Sequence, residues 1–330
     1  MKKILLVIAS ILLLAFIVLY KFPYTIVTVG DTEALKERIA IEDGYQSEGE
    51  FSLVFVTVYP STAFNYLITF FSERKIRKVP YGKSEKYLGQ LYTTSSVENA
   101  NINLLRLLGE ENIVIDYDEY ISFVGEEVAC DIRVGDEILS YDNHPLVESE
   151  SYRNHVQAKN LPATLKLTLS SEFGEERDVE CEITRYKDRN IIGYGFIGIN
   201  ELISTHEILN RVNADLTMYG GPSAGMAITL ELLNQLVEED LTKGYEIVAT
   251  GTINYDGTIG QIGSADFKLK AAYKSGADYF FVPDSEDDDS NYKIAMKYKI
   301  ENDLDIEVVK INHINDAIEF LEGLSYEEAN

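Results

Sequence analysis

The hydrophobic pattern is least broken at the start of the chain, where seventeen residues from Ile4 to Tyr20 are interrupted only by Ser10 and preceded by Met1-Lys2-Lys3. At 1.5 Å rise per residue such a run nearly matches a hydrocarbon core of about 30 Å, and it predicts a transmembrane helix within residues 1–22. The following Leu19-Tyr20-Lys21-Phe22-Pro23 has no small-x-small cleavage pattern, so the segment reads as an uncleaved anchor. Lysines at its leading edge place the N-terminus in the cytoplasm and the bulk of the chain outside, a single-pass arrangement in the cell membrane.

Beyond the anchor the periodicity changes. Tyr24 to Val29 and Phe51 to Val58 are rich in β-branched and aromatic residues and predict strands, whereas residues 61 to 106 turn mostly polar and helical. Together they predict a membrane-proximal α+β region over 23–110. From Ile113 short strands alternate with turn signals: YISFVG, then RVGDEILSYDNHPL, a helical stretch near Ser151 to Lys159, and alternating strands at Thr164 to Leu169 and Val179 to Thr184. The Gly135-Asp136 turn feeding Glu137-Ile138-Leu139-Ser140-Tyr141-Asp142 resembles a PDZ domain, here over 111–190. That resemblance implies a groove beside Tyr120, Ile121, Ser122 and Phe123, into which an extended peptide adds as a strand. Ser122-Phe123-Val124-Gly125 departs from the carboxylate-binding glycine pattern of such domains.

Charge and composition remove several classes of function. With 29 Lys and Arg against 55 Asp and Glu, the net charge of −26 is spread along the chain. Without a basic patch, nucleic acid is no partner. Cys130 and Cys181 make at most one bridge, and their default reading is a pair of small buried thiols. Gly193, Gly195 and Gly198 satisfy G-x-G-x-x-G, but apolar residues continue into Ile199 where the dinucleotide fingerprint needs a helix to open. The four histidines are scattered, no phosphate-binding G-x-x-x-x-G-K-[ST] occurs, and the acidic run Asp284 to Asp289 lacks the ligand spacing of a calcium loop. No metal or cofactor is called for.

Candidate chemistry begins at Gly220-Gly221-Pro222-Ser223-Ala224-Gly225. Apolar residues at Met226, Leu230, Leu233 and Val237 follow at helical spacing, so Ser223 stands where a loop becomes a helix. Free backbone amides at such a junction, near Gly221 and Ala224, stabilise an oxyanion. Ile247 to Ile253 then reads as a strand, Asp256-Gly257 as a hairpin turn, Ala265 to Ser275 as a helix closed by Gly276, and Tyr279 to Val282 as a buried strand.

In that order the motifs closely resemble the proteolytic domain of the Lon family, over 191–325. The resemblance implies Ser223 as nucleophile in GPSAG, Lys268 as general base in IGSADFK, and Thr250 in ATGTI as the hydroxyl supporting the lysine. With the anchor and the PDZ-like segment, the whole chain resembles the membrane-anchored, ATPase-free Lon-like proteases of the YlbL/SepM type. Ser264 stands where the family has glycine, and Gly220 where the ATP-dependent enzymes have aspartate. A lysine serves as base only when neutral near pH 7, about three units below its ordinary value, which burial can supply. The expected fold is α/β: a transmembrane helix, a small β-rich PDZ-like domain and a C-terminal Lon-type domain. The expected activity is ATP-independent serine endopeptidase action on peptides or membrane proteins, and the family resemblance also implies a homo-oligomer. The alternative is a non-catalytic membrane-anchored PDZ adaptor carrying a degenerate protease domain.

Overall fold

The computed structural model describes residues 2–77, 83–203, 206–216 and 220–327. The chain starts with α1 (Lys2–Leu19), β1 (Lys21–Ala34), β2 (Ile39–Ile41) and β3 (Glu50–Thr62), followed by α2 (Ala63–Thr69), β4 (Lys75–Arg77) and the 25-residue helix α3 (Lys83–Leu107). A second group of elements comprises β5 (Ile115–Val124), β6 (Glu137–Tyr141), β7 (His144–Pro145), α4 (Ser149–Ala158), β8 (Ala163–Ser170), β9 (Glu176–Tyr186), β10 (Arg189–Ile191) and β11 (Tyr194–Leu202). After β12 (Val212–Ala214) come α5 (Gly225–Asn234), β13 (Glu246–Ala249), the small hairpin β14 (Thr252–Ile253) and β15 (Ile259–Gly260), α6 (Ala265–Ser275), β16 (Tyr279–Val282), α7 (Asn291–Glu301), β17 (Glu307–Lys310) and α8 (Ile314–Glu322).

The transmembrane expectation is corrected: among the described residues no helix is long and apolar enough to cross a membrane. Helix α1 has 18 residues, a rise of about 27 Å, and its first two residues are lysines. The apolar part rises about 24 Å, short of the roughly 30 Å hydrocarbon core, because the chain turns into β1 at Lys21. The single-pass anchor goes with it.

The strands predicted near residues 24–29 and 51–58 exist, yet they build no separate region. The large sheet runs β17-β16-β13-β3-β1-β4, with β3 parallel to β13 and β1 antiparallel to β3. The N-terminal strands therefore complete the sheet that carries the C-terminal elements. Alternation along each strand sorts its side chains to two faces. Phe51 and Leu53 of β3, Ile247 and Ala249 of β13 and Phe281 of β16 pack with α5 and α8. Val54, Val248, Phe280 and Val282 pack on the opposite face with α6 and α7. The result is a helix–sheet–helix sandwich.

Between α3 and β12 the second group forms its own antiparallel sheet, in the order β10-β9-β8-β6-β5-β11, around Ile121, Ile138, Leu165, Leu167 and Leu169. Strand β11 pairs with β5 from Tyr194↔Val124 to Leu202↔Ile115, so the small unit extends to Leu202 and not to residue 190. No helix opens at Gly198, in keeping with the rejected dinucleotide reading. Cys130 and Cys181 are joined in a disulfide that ties the loop before β6 to β9; the two free thiols of the default reading are not found.

Helix α5 buries an acid. Glu231 is 1% exposed; its Oε1 accepts from Gln235 Nε2 at 2.6 Å, and its Oε2 has no partner among the described residues. Gln235 also donates to Ile39 O and accepts from the Ile41 amide, which ties α5 to β2. Burial pushes the Glu231 carboxyl up to about 7. A carboxyl whose folded pKa is raised contributes fully below its unfolded value of about 4.3, and that contribution is lost as pH rises through about 7. Glu231→Gln is therefore expected to be nearly neutral at pH 4 and stabilising by up to about 3 kcal/mol at pH 8, read from urea unfolding at both pH values.

Candidate active site

Three segments converge beside the C-terminal end of β13, where open parallel sheets gather their ligands. The first is the turn Pro222–Ala224, which leads directly into α5. Pro222 suits the opening position because its missing N–H would find no helical acceptor there. Gly221 has φ 144°, a conformation open to glycine and costly for other residues. Gly225 allows α5 to press against β14: a Cβ there would meet Ile253 Cγ2 at 2.6 Å and Ile253 N at 3.1 Å. The second segment is Thr250-Gly251, and the third is α6.

These segments are joined at Ser223. The Gly251 amide donates to Ser223 O at 2.9 Å, Thr250 Oγ1 donates to the same oxygen at 3.3 Å, and the Thr250 amide donates to Phe281 O of β16. From α6, Lys268 Nζ lies 2.6 Å from Ser223 Oγ and 2.9 Å from Thr250 Oγ1. All three residues of the expected dyad and its support are thus brought together. Lys268 is 3% exposed, and burial alone brings its ammonium down to about 7. A neutral amine there can accept a proton from the serine hydroxyl. Ser223 itself is half-buried, open to an incoming ligand. The Ala224 amide lies in the turn that opens α5, at the positive end of that helix, where an oxyanion would be stabilised. The neighbouring lysines face elsewhere: Lys270 pairs with Glu73, and Lys274 is exposed.

Ser264 forms the turn that leads into α6. With φ 59° and ψ 46° it adopts the left-handed conformation that glycine takes freely, and its carbonyl accepts the Lys268 amide at 3.0 Å. An L-residue there costs about 1 kcal/mol. Ser264→Gly is expected to raise stability by about that amount, visible as a melting point higher by a few degrees in calorimetry.

Of the groove expected beside Tyr120, Ile121, Ser122 and Phe123, the sheet order closes the first half. Strand β5 is interior: Tyr120 pairs with Ile197 of β11 on one side and with Glu137 of β6 on the other. The Ile121 amide is taken by Asp136 O and its carbonyl by the Gly135 amide, leaving no edge for an added strand at Tyr120 and Ile121. The edges of this sheet are β10 and β11, and a cavity of about 280 Å³ lies between the first half of β11, β10 and α4. Tyr152, Arg153 and Val156 of α4 face Asn190 and the Gly193–Phe196 segment across it. The sequence carried a signal for this place, since Gly193-Tyr194-Gly195 holds the very glycines set aside as a failed dinucleotide fingerprint.

Helix α3 links the two sites. Ser95 Oγ donates to Gly198 O of β11 at 3.2 Å, and the adjacent Ser96 Oγ donates to Pro222 O at 3.0 Å.

Residues 198–321 match the family model of the Lon protease (S16) C-terminal proteolytic domain. A Lon protease of Clostridium acetobutylicum is 26% identical over 137 residues, which is 41% of this chain and 17% of that protein. The chain thus aligns with under a fifth of that relative. These matches support serine peptidase activity for residues 198–321. Among solved structures, the PDZ domain of an SdrC-like protein from Listeria monocytogenes is 18% identical, covering 24% of this chain and 86% of that one at a TM-score of 0.22. The corresponding domain from Listeria innocua is 20% identical, covering 26% and 94% at a TM-score of 0.22.

Proposed function

We propose that this protein is an ATP-independent serine endopeptidase in which Ser223 is the nucleophile, Lys268 the general base and Thr250 the positioning partner of the lysine. The observation that carries the reading is the buried Lys268 amine, 2.6 Å from Ser223 Oγ, with no carboxylate ion-paired to it among the described residues. Neutral Lys268 takes the Ser223 proton as Oγ attacks the scissile carbonyl carbon. The resulting oxyanion turns towards the first-turn amides, Ala224 above all, at the positive end of α5. Collapse breaks the C–N bond, and Lys268 returns the proton to the departing amine. Water, deprotonated by the same lysine, then hydrolyses the Ser223 ester and frees the enzyme. The small β-rich unit selects the segment to be cut. The Cys130–Cys181 bridge suits an oxidising compartment, which supports a place of action outside the reducing cytosol.

The test is a flexible unstructured protein incubated with the wild type, Ser223→Ala and Lys268→Ala, without ATP. Cleavage by the wild type alone is expected. Its rate should rise with pH through about 7 and level off above it, since only the deprotonated amine is a base. Cleavage that persists in both variants would overturn the assignment.

A further inference from the structure

The cavity between α4, β10 and β11 has a charge unlike that of the rest of the molecule. The chain as a whole carries −26, yet two of the residues lining this cavity are Arg153 and Arg189, and no Asp or Glu lines it. Among the described residues neither guanidinium is paired with a carboxylate. Arg153 lies over the Phe196 ring at 4.8 Å, which aims its charge along the first half of β11. Glu119, an acid that interacts with it electrostatically, is buried, and burial holds that carboxyl above its ordinary range. The walls are fixed: Tyr152 and Tyr194 are bonded through their hydroxyls, and Asn190 Nδ2 donates to Val156 O at 3.1 Å and Lys159 O at 2.9 Å.

The backbone beside this charge is a sheet edge. Towards its far end the outer side of β11 is held by α3, through Ser95 to Gly198 O, Asn200 to Asn99 and the Leu202 amide to Glu98. In its first half, Tyr194 and Phe196 line the cavity while the strand pairs with β5. An extended segment laid along this edge would form main-chain hydrogen bonds, and its alternate side chains would reach the guanidiniums, which fork to carboxylates.

We propose that this groove binds an extended peptide segment bearing acidic side chains, read by Arg153 and Arg189. The inference rests on the reading of the small unit as the part that selects substrate, and it names the chemistry selected. Binding is best measured on the full chain carrying Ser223→Ala, so that no peptide is consumed and the outcome does not depend on catalysis. The probes are fluorescent, C-terminally amidated peptides alternating valine with glutamate, and the same peptides with glutamine in place of glutamate. A third probe is the glutamine peptide with a free C-terminal carboxylate.

The glutamate peptide is expected to bind saturably and at least about tenfold more tightly than either glutamine peptide. Arg153→Gln combined with Arg189→Gln should remove that difference while leaving the melting point unchanged, and Arg189→Glu should shift the preference towards a valine–lysine peptide. Equal binding of the glutamate and glutamine peptides by the unaltered groove overturns the proposal, whatever the arginine variants do. So does the absence of saturable binding, or a preference for the free C-terminus over acidic side chains. Binding as expected in a chain whose Ser223 form cleaves nothing would sink the peptidase reading and leave this one standing.

Discussion

Lys268→Met is expected to lose more than about 10⁴-fold in peptide cleavage and, at the same time, to melt several degrees above the wild type. Both effects follow from one burial. The amine is buried, and its pKa falls from 10.5 to about 7 through desolvation alone. Each unit of that shift is worth about 1.36 kcal/mol, so holding the lysine in place costs the fold about 4 to 5 kcal/mol near neutral pH. The sign follows from the protons. The unfolded chain binds one below about pH 10.4 and the folded chain only below about 7, so stability is lost as pH falls across that window. Methionine has similar length and no charge to desolvate. It leaves Thr250 Oγ1 without its Nζ partner, which trims the net gain to about 3 kcal/mol. Unfolding at pH 7 and pH 10 checks this, since the advantage of methionine should shrink at the higher pH. A side chain that destabilises the fold and is indispensable to activity is what a general base predicts, and a surface amine on an amphipathic helix would show neither effect.

Ser223→Ala is expected to abolish cleavage by about 10⁴-fold or more, through a different loss. Here the oxyanion donors and the lysine remain, because the turn is held through the Ser223 carbonyl by the Gly251 amide and not through the hydroxyl. Stability should therefore change by less than about 1 kcal/mol, since the Oγ of a half-buried serine contributes one hydrogen bond. Deleting Ser223 and Lys268 together should cost little more activity than either alone, because the two act as one unit. An additive double loss, measured as kcat/KM on one peptide, would contradict the dyad.

The site was more legible in the sequence than the architecture around it. Ser223, Thr250 and Lys268 lie on or beside three elements, each with its own local signature: a glycine-rich turn before a helical apolar face, a β-branched strand, and a helix closed by Gly276. Local pattern sufficed there, and Ser264 shows that even a departure from the glycine pattern keeps the turn by adopting a left-handed backbone at modest cost. What local pattern does not carry is pairing between distant strands. Phe51 to Val58 reads as a strand on its own, but nothing in its alternation reveals that β3 lies beside β13, nearly two hundred residues away. Edge and interior strands also look alike in sequence, so nothing in the alternation of Tyr120 to Phe123 reveals that β11 lies outside β5 in the sheet. The N-terminal run spans seventeen residues broken only by Ser10, whereas the helix ends at Leu19 and the next strand begins at Lys21, so length alone misjudges it.

The most direct measurement is the rate at which Ser223 is acylated by a serine-directed peptidyl probe, followed by intact mass across the pH range. The account predicts one adduct, on Ser223, forming faster as pH rises through about 7 and absent in Lys268→Met. An adduct forming at Ser223 at the same rate with methionine at position 268, or a rate indifferent to pH between 5 and 9, would contradict it.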